Sequence, residues 1–113
     1  MKKILNKFKV AIEGVFSGSK DCAIRTQFIL AFFALLFGFL LKLDSMEWIV
    51  VLICIGSVIT AEMFNTCIER LCDRFTLELD PQIKYIKDLA AGAVLVISIT
   101  AFIVSMVILF RHF

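Results

Sequence analysis

The chain has one proline, one histidine, one tyrosine and one tryptophan among its 113 residues. Each scarcity removes a class of reading. The sole histidine, His112, stands almost at the C-terminus, and the four cysteines (Cys22, Cys54, Cys67, Cys72) form no C-x-x-C pair. A Cys/His zinc site is therefore excluded, and the cysteines read as small apolar packing residues. One tyrosine and one tryptophan against twelve phenylalanines suit a lipid-facing surface rather than a nucleic-acid platform, so no nucleic-acid partner is expected. The glycines build neither a Walker A loop nor a G-x-G-x-x-G loop. After the basic start nothing strongly apolar follows until residue 28, and no small-residue cleavage site appears. A secretory signal peptide is thus not expected, and the N-terminus is expected to be retained. Internal repeats and low-complexity segments are missing as well.

What the chain does have is apolar sequence. It is 61% hydrophobic, with a mean hydropathy of +0.98, and a chain this short cannot hide so much apolar surface from water. An all-α integral membrane protein forming a single domain over residues 1–113 is the expectation. Three runs are long enough to cross a bilayer, at about 24–43, 48–69 and 89–110, with Trp48 placed as an interfacial anchor. Each must be helical, because a lone strand leaves its backbone polar groups unpaired in lipid. Residues 1–17 put Ile4, Phe8, Ala11, Ile12 and Val15 at helical spacing with lysines opposite, which predicts an amphipathic helix on the membrane surface. "SGSK" (17–20) breaks it from the first span, and Asp80-Pro81 marks the clearest turn before the third.

Charge is distributed unevenly. Lys2, Lys3, Lys7, Lys9, Lys20 and Arg25 precede or open the first run, and Arg70, Arg74, Lys84 and Lys87 lie between the second and third. The intervening loop, "KLDSME", has one lysine. The positive-inside rule then places the N-terminus in the cytoplasm and the C-terminus outside.

The second run ends in "AEMFNTCIERLCDR" (61–74), where Glu62, Asn65, Glu69 and Asp73 follow at spacings of three, four and four residues. On a helix they form one stripe. Glu62 lies about two turns, ~10 Å, inward of Glu69. A carboxylate at that depth costs roughly 2.5 kcal/mol or more if it faces lipid, so it should face a bundle interior or wet cavity. Burial also raises a carboxylate's proton affinity toward the range useful for proton transfer. Glu69 and Asp73 emerge at the membrane surface, where hard oxygen ligands suit Mg²⁺. Lys87 and Asp88 open the third span, and Asp21 and Arg25 open the first. Carboxylates for metal, a lysine for phosphate and one deeper carboxylate fit phosphoryl transfer to a membrane-embedded acceptor. Composition by itself describes a small transporter or a non-catalytic helix-packing subunit equally well.

These residues resemble the prokaryotic diacylglycerol kinase family, small trimeric lipid kinases that include the undecaprenol kinases. Its signature E-x-x-N-[ST]-A-I-E-x-x-x-D stands here as "EMFNTCIERLCD", with Cys67 replacing the alanine. A second signature, K-D-x-[AG]-[AS]-[AG]-A-V-L, is matched by "KDLAAGAVL" at 87–95. The resemblance covers essentially the whole chain. It implies that Glu62 is the catalytic base and that Asn65 helps orient base and acceptor. It implies a metal- and nucleotide-binding role for Glu69, and ATP contacts for Lys87 and Asp88. The family's nucleotide-touching "E-Y-H" falls on Glu78, Leu79 and Asp80, which assigns Glu78 and Asp80 to the nucleotide. "DCAIR" answers to the family's E-x-[NA]-x-R, so that Asp21 stands for the second metal-binding glutamate, one methylene shorter. Arg25 and Gln27 join Glu62 on the lipid-binding side. The resemblance further implies ATP as donor with Mg²⁺, and a homotrimer with sites shared between subunits in a bacterial inner membrane. "SMEWIVVL" is more similar to the undecaprenol kinase branch, so undecaprenol is favoured as acceptor, with diacylglycerol as the alternative.

Overall fold

The computed structural model describes residues 1–75 and 80–113. Among them the backbone forms four helices and no strand: α1 (Lys2–Gly18), α2 (Cys22–Leu41), α3 (Ser45–Phe75) and α4 (Pro81–His112). The class is the all-α one expected. Three helices, α2, α3 and α4, are long and apolar enough to cross a membrane. Two of them outrun the apolar stretches seen in the sequence. At ~1.5 Å per residue, the 31 residues of α3 reach ~46 Å, against ~30 Å of hydrocarbon. Nothing in "IERLCDRF" breaks a helix, so α3 carries its acidic stripe out of the apolar layer. Likewise α4 starts at Pro81, well before the uncharged run, because proline suits the first helical turn and Asp80 caps it.

α3 packs along both α4 and α2, while α1 buries none of its residues. The packed seam is thin. Ile24, Val58, Cys72 and Ile108 are the buried hydrophobic side chains among the described residues, whereas Phe32, Phe33, Phe37, Phe39 and Phe102 are exposed. In water that surface would prevent folding. In lipid it carries no penalty, and helix association depends on close packing and interhelical polar contacts.

The α2–α3 connection shows how close packing is achieved. Lys42 adopts the left-handed conformation (φ 57°), and Leu43 N–H donates to the Gly38 carbonyl at 3.3 Å. That return brings Trp48 back onto α2, edge-on to Phe39 with ring centroids 5.3 Å apart. Gly38 is required by this approach, since a Cβ there would fall 2.9 Å from the Trp48 ring. Asp44 then opens α3 with a capping box: Glu47 N–H donates to Asp44 Oδ1 at 2.9 Å, and Asp44 N–H to Glu47 Oε1 at 3.0 Å.

The same glutamate anchors the end of α4. Glu47 is only 4% exposed, and His112 Nε2 lies 3.0 Å from each of its carboxylate oxygens. Arg111 sits 3.8 Å from both Asp44 and Glu47. Acids at the start of α3 and bases at the end of α4 each complement their helix dipole as well as one another.

Because Trp48 is the sole tryptophan, its fluorescence reports directly on this corner. Gly38→Ala is expected to lower stability by about 1–3 kcal/mol, the usual cost of overpacking, with a shift in Trp48 emission. Chemical unfolding in detergent micelles measures both.

Candidate functional site

The polar end of the bundle is assembled from α3 outward. Along its stripe, Asn65 Nδ2 donates to Glu69 Oε1 at 3.2 Å, one turn further on. Asn65 Oδ1 is buried and has no hydrogen-bond partner among the described residues. Thr66 Oγ1 donates to the Glu62 carbonyl at 2.9 Å, which leaves the threonine satisfied within its own helix. The Glu62 side chain is half-buried, and among the described residues it has no side-chain hydrogen-bond partner.

The other two spanning helices reach this end through ion pairs. Lys87 Nζ on α4 donates to Asp73 Oδ1 at 2.9 Å. Arg70 on α3 donates to Asp21 Oδ1 at the start of α2. Asp21 occupies the N-cap position of α2 with extended backbone, yet its side chain makes no capping bond. Aspartate is among the best N-caps, so the carboxylate has forgone its local partner for a distant one. Asp88 turns instead to its own helix, where Lys84 Nζ donates to it at 2.6 Å. These pairs are largely exposed, so each adds little to stability, typically below ~1 kcal/mol. Their effect is to neutralise charge where three helices meet.

Between α2, α3 and α4 lies an apolar cleft of about 150 Å³ whose walls include Ala31, Ala34, Val58, Ala101 and Ser105, with Gln27 among them. Small side chains from α2 and α4 leave the space over α3. Gln27 thus lies in the wall of a largely apolar cleft.

The structure therefore brings Asp21, Glu69, Asp73 and Lys87 to one end, with Asn65 about one turn and Glu62 about two turns deeper than Glu69 along α3. Glu62 is not among the residues lining the Gln27 cleft. Arg25 is exposed on α2, one turn beyond Asp21, and its backbone N–H donates to the Asp21 carbonyl at 2.8 Å. Glu78 lies outside the described residues. Asp80 has a defined local role, since its Oδ1 accepts from Gln82 N–H at 2.9 Å and caps α4. Among the described residues no three acidic, histidine or cysteine side chains gather as a metal cage. Mg²⁺ rarely uses such a cage, preferring one or two carboxylates plus phosphate and water oxygens. Asp21 and Glu69 carry hard oxygens of that kind, and Asn65 Oδ1, without a partner among the described residues, lies one helical turn from Glu69.

Two contacts lie beyond what the sequence pattern announces. Arg70 has the look of an ordinary end-of-span charge, and its partner is 49 residues away. The Asp44–Glu47 box is legible in principle as D-x-x-E before an apolar run, a signal that the loop's charge alone does not convey.

Residues 9–109 match the family model described as prokaryotic diacylglycerol kinase. Over 74 residues the chain is 38% identical to the undecaprenol kinase of Bacillus subtilis (strain 168). That alignment takes in 66% of this chain, and the chain spans about 60% of the length of that curated relative.

The cap at Asp80 separates a structural role from a nucleotide contact. Asp80→Ala is expected to cost about 1 kcal/mol of stability and Asp80→Ser to cost little, as measured by thermal melts of the micellar protein. If the carboxylate also contacts ATP, nucleotide affinity falls in both variants.

Proposed function

The chain belongs to the prokaryotic diacylglycerol kinase family, and on that premise we propose that it transfers the γ-phosphate of ATP to the hydroxyl of a membrane lipid alcohol. Undecaprenol is the favoured acceptor, because the Bacillus subtilis relative is an undecaprenol kinase; diacylglycerol is the alternative. The observation that carries the reading is Glu62, a half-buried carboxylate without a side-chain partner among the described residues. It sits about two helical turns from the meeting point of Asp21, Glu69 and Lys87.

In this mechanism the lipid hydroxyl approaches from the hydrocarbon side, and Glu62 takes its proton. The hydroxyl oxygen forms a bond to the γ-phosphorus as the bond to the bridging oxygen of ADP breaks in line. Asn65 holds Glu69 by its Nδ2 and keeps Oδ1 free to accept a hydrogen bond. Lys87 exchanges Asp73 for a phosphate oxygen, a charge-assisted contact of at least equal strength. Asp21 and Glu69 are the residues that would hold Mg²⁺, which when bound supplies positive charge to the phosphate oxygens. Asp88 and Glu78 are assigned to the nucleotide, and Arg25 and Gln27 to the lipid side.

The surroundings follow from the same reading. α1, with its apolar residues exposed along one side, lies on the inner face of a bacterial plasma membrane, and the N-terminus is cytoplasmic. A single three-span bundle with so thin a seam cannot enclose nucleotide, metal and lipid. A homotrimer with shared sites supplies the missing walls.

The test is phosphorylation from [γ-³²P]ATP in mixed micelles, offering undecaprenol and diacylglycerol in parallel with Mg²⁺. Label in undecaprenol alone supports the assignment; label in diacylglycerol alone moves it to the alternative. No label in either, from folded protein, returns the chain to a non-catalytic membrane subunit. Glu62→Gln is expected to lower the rate roughly a hundred- to ten-thousand-fold, the range for loss of a general base, with ATP binding kept. Glu69→Ala is expected to lose ATP binding and activity together.

A further inference from the structure

Arg70 has no part in the chemistry above, yet it joins α3 to Asp21 across 49 residues of sequence. The two partners differ in freedom. The Asp21 side chain is 25% exposed and the Arg70 side chain 71%. Asp21 is seated at a helix start whose capping position it does not use, while Arg70 stands on an exposed turn beside Glu69. The guanidinium takes an oxygen that a divalent cation would need, and it supplies the positive charge that the cation would supply.

Two neighbouring acids hold lysines, and a third accepts from a neutral amide. Lys87 holds Asp73, Lys84 holds Asp88 and Asn65 holds Glu69. Among the described residues Arg70 pairs with no acid other than Asp21. A bare metal ion that displaced it would leave a guanidinium unpaired beside a new cation. A metal ion arriving on a polyphosphate brings oxygens that the displaced guanidinium can grip with its planar fork.

We infer that Arg70 is a positioning residue that stands in for the divalent cation on Asp21 and releases that carboxylate only in exchange for a polyphosphate. The inference rests on the lipid kinase reading and deepens it. Arg70 makes the site select metal with nucleotide over metal alone, and it keeps Asp21 oriented until that complex arrives.

The experiment uses full-length protein in micelles, with Mn²⁺ followed by electron paramagnetic resonance as the probe of bare metal and MgATP binding measured separately. Arg70→Gln is expected to tighten bare Mn²⁺ binding about two- to fivefold, the value of an exposed ion pair, and to weaken MgATP binding. Arg70→Lys keeps the charge and is expected to return Mn²⁺ affinity toward that of the unmodified protein. On an Asp21→Asn background, Arg70→Gln should leave Mn²⁺ affinity unchanged. A purely structural contact would weaken both ligands together, and that result overturns the inference. So does an unchanged Mn²⁺ affinity in Arg70→Gln, an equal gain on the Asp21→Asn background, or an absence of Mn²⁺ binding by the unmodified protein. Lipid phosphorylation is read independently. Opposite-signed shifts without any labelled lipid sustain the exchange and remove the kinase, and labelled lipid without those shifts does the reverse.

Discussion

Hydrocarbon offers no hydrogen-bond partner, and nearly every feature of this molecule follows from that constraint. The spanning segments must close their backbone bonds internally, so they are helices. Their side chains need not be hidden, so phenylalanines cover the outside and the seam between helices is thin. Charges are driven to the helix ends, where they pair across helices. Glu62 departs from this pattern, being the one acidic residue of α3 that lies within its apolar run.

The same constraint organises the two ends differently. At one end the contacts gather in a corner around the buried Glu47: the Asp44–Glu47 capping box, the His112 and Arg111 contacts to it, and Trp48 over Gly38. At the other they are exposed single pairs, Arg70 with Asp21 and Lys87 with Asp73. Buried and reciprocal contacts suit a permanent joint. Exposed pairs of near-zero net energy suit a place where partners must be traded, because little is lost when a ligand takes either side.

Much of this is legible in sequence, for identifiable reasons. The spans show because about 20 apolar residues in a row have few other uses, and the Glu62–Asn65–Glu69–Asp73 stripe shows because helical geometry is regular. The Asp80-Pro81 boundary is a local signal and the structure uses it locally, as the cap of α4. Long-range pairing is another matter. Lys87 and Asp73 are separated by 14 residues and Arg70 and Asp21 by 49, and no periodicity relates either pair. Which acid a given base selects depends on how α2 and α4 rotate about α3, a property of packing that a single sequence does not display.

The contacts between α3 and α4 have a mechanical meaning. Glu47 with Arg111 and His112 fastens one end of this antiparallel pair, and Asp73 with Lys87 fastens the other. A beam pinned at both ends resists sliding far more than twisting. Moving α4 along α3 by one helical turn, ~5.4 Å, would unmake both sets of ions at once, whereas a small rotation about the long axis keeps the buried set and loosens only the exposed one. The hairpin is keyed in register, and its soft coordinate is rotation at the end that carries Lys87.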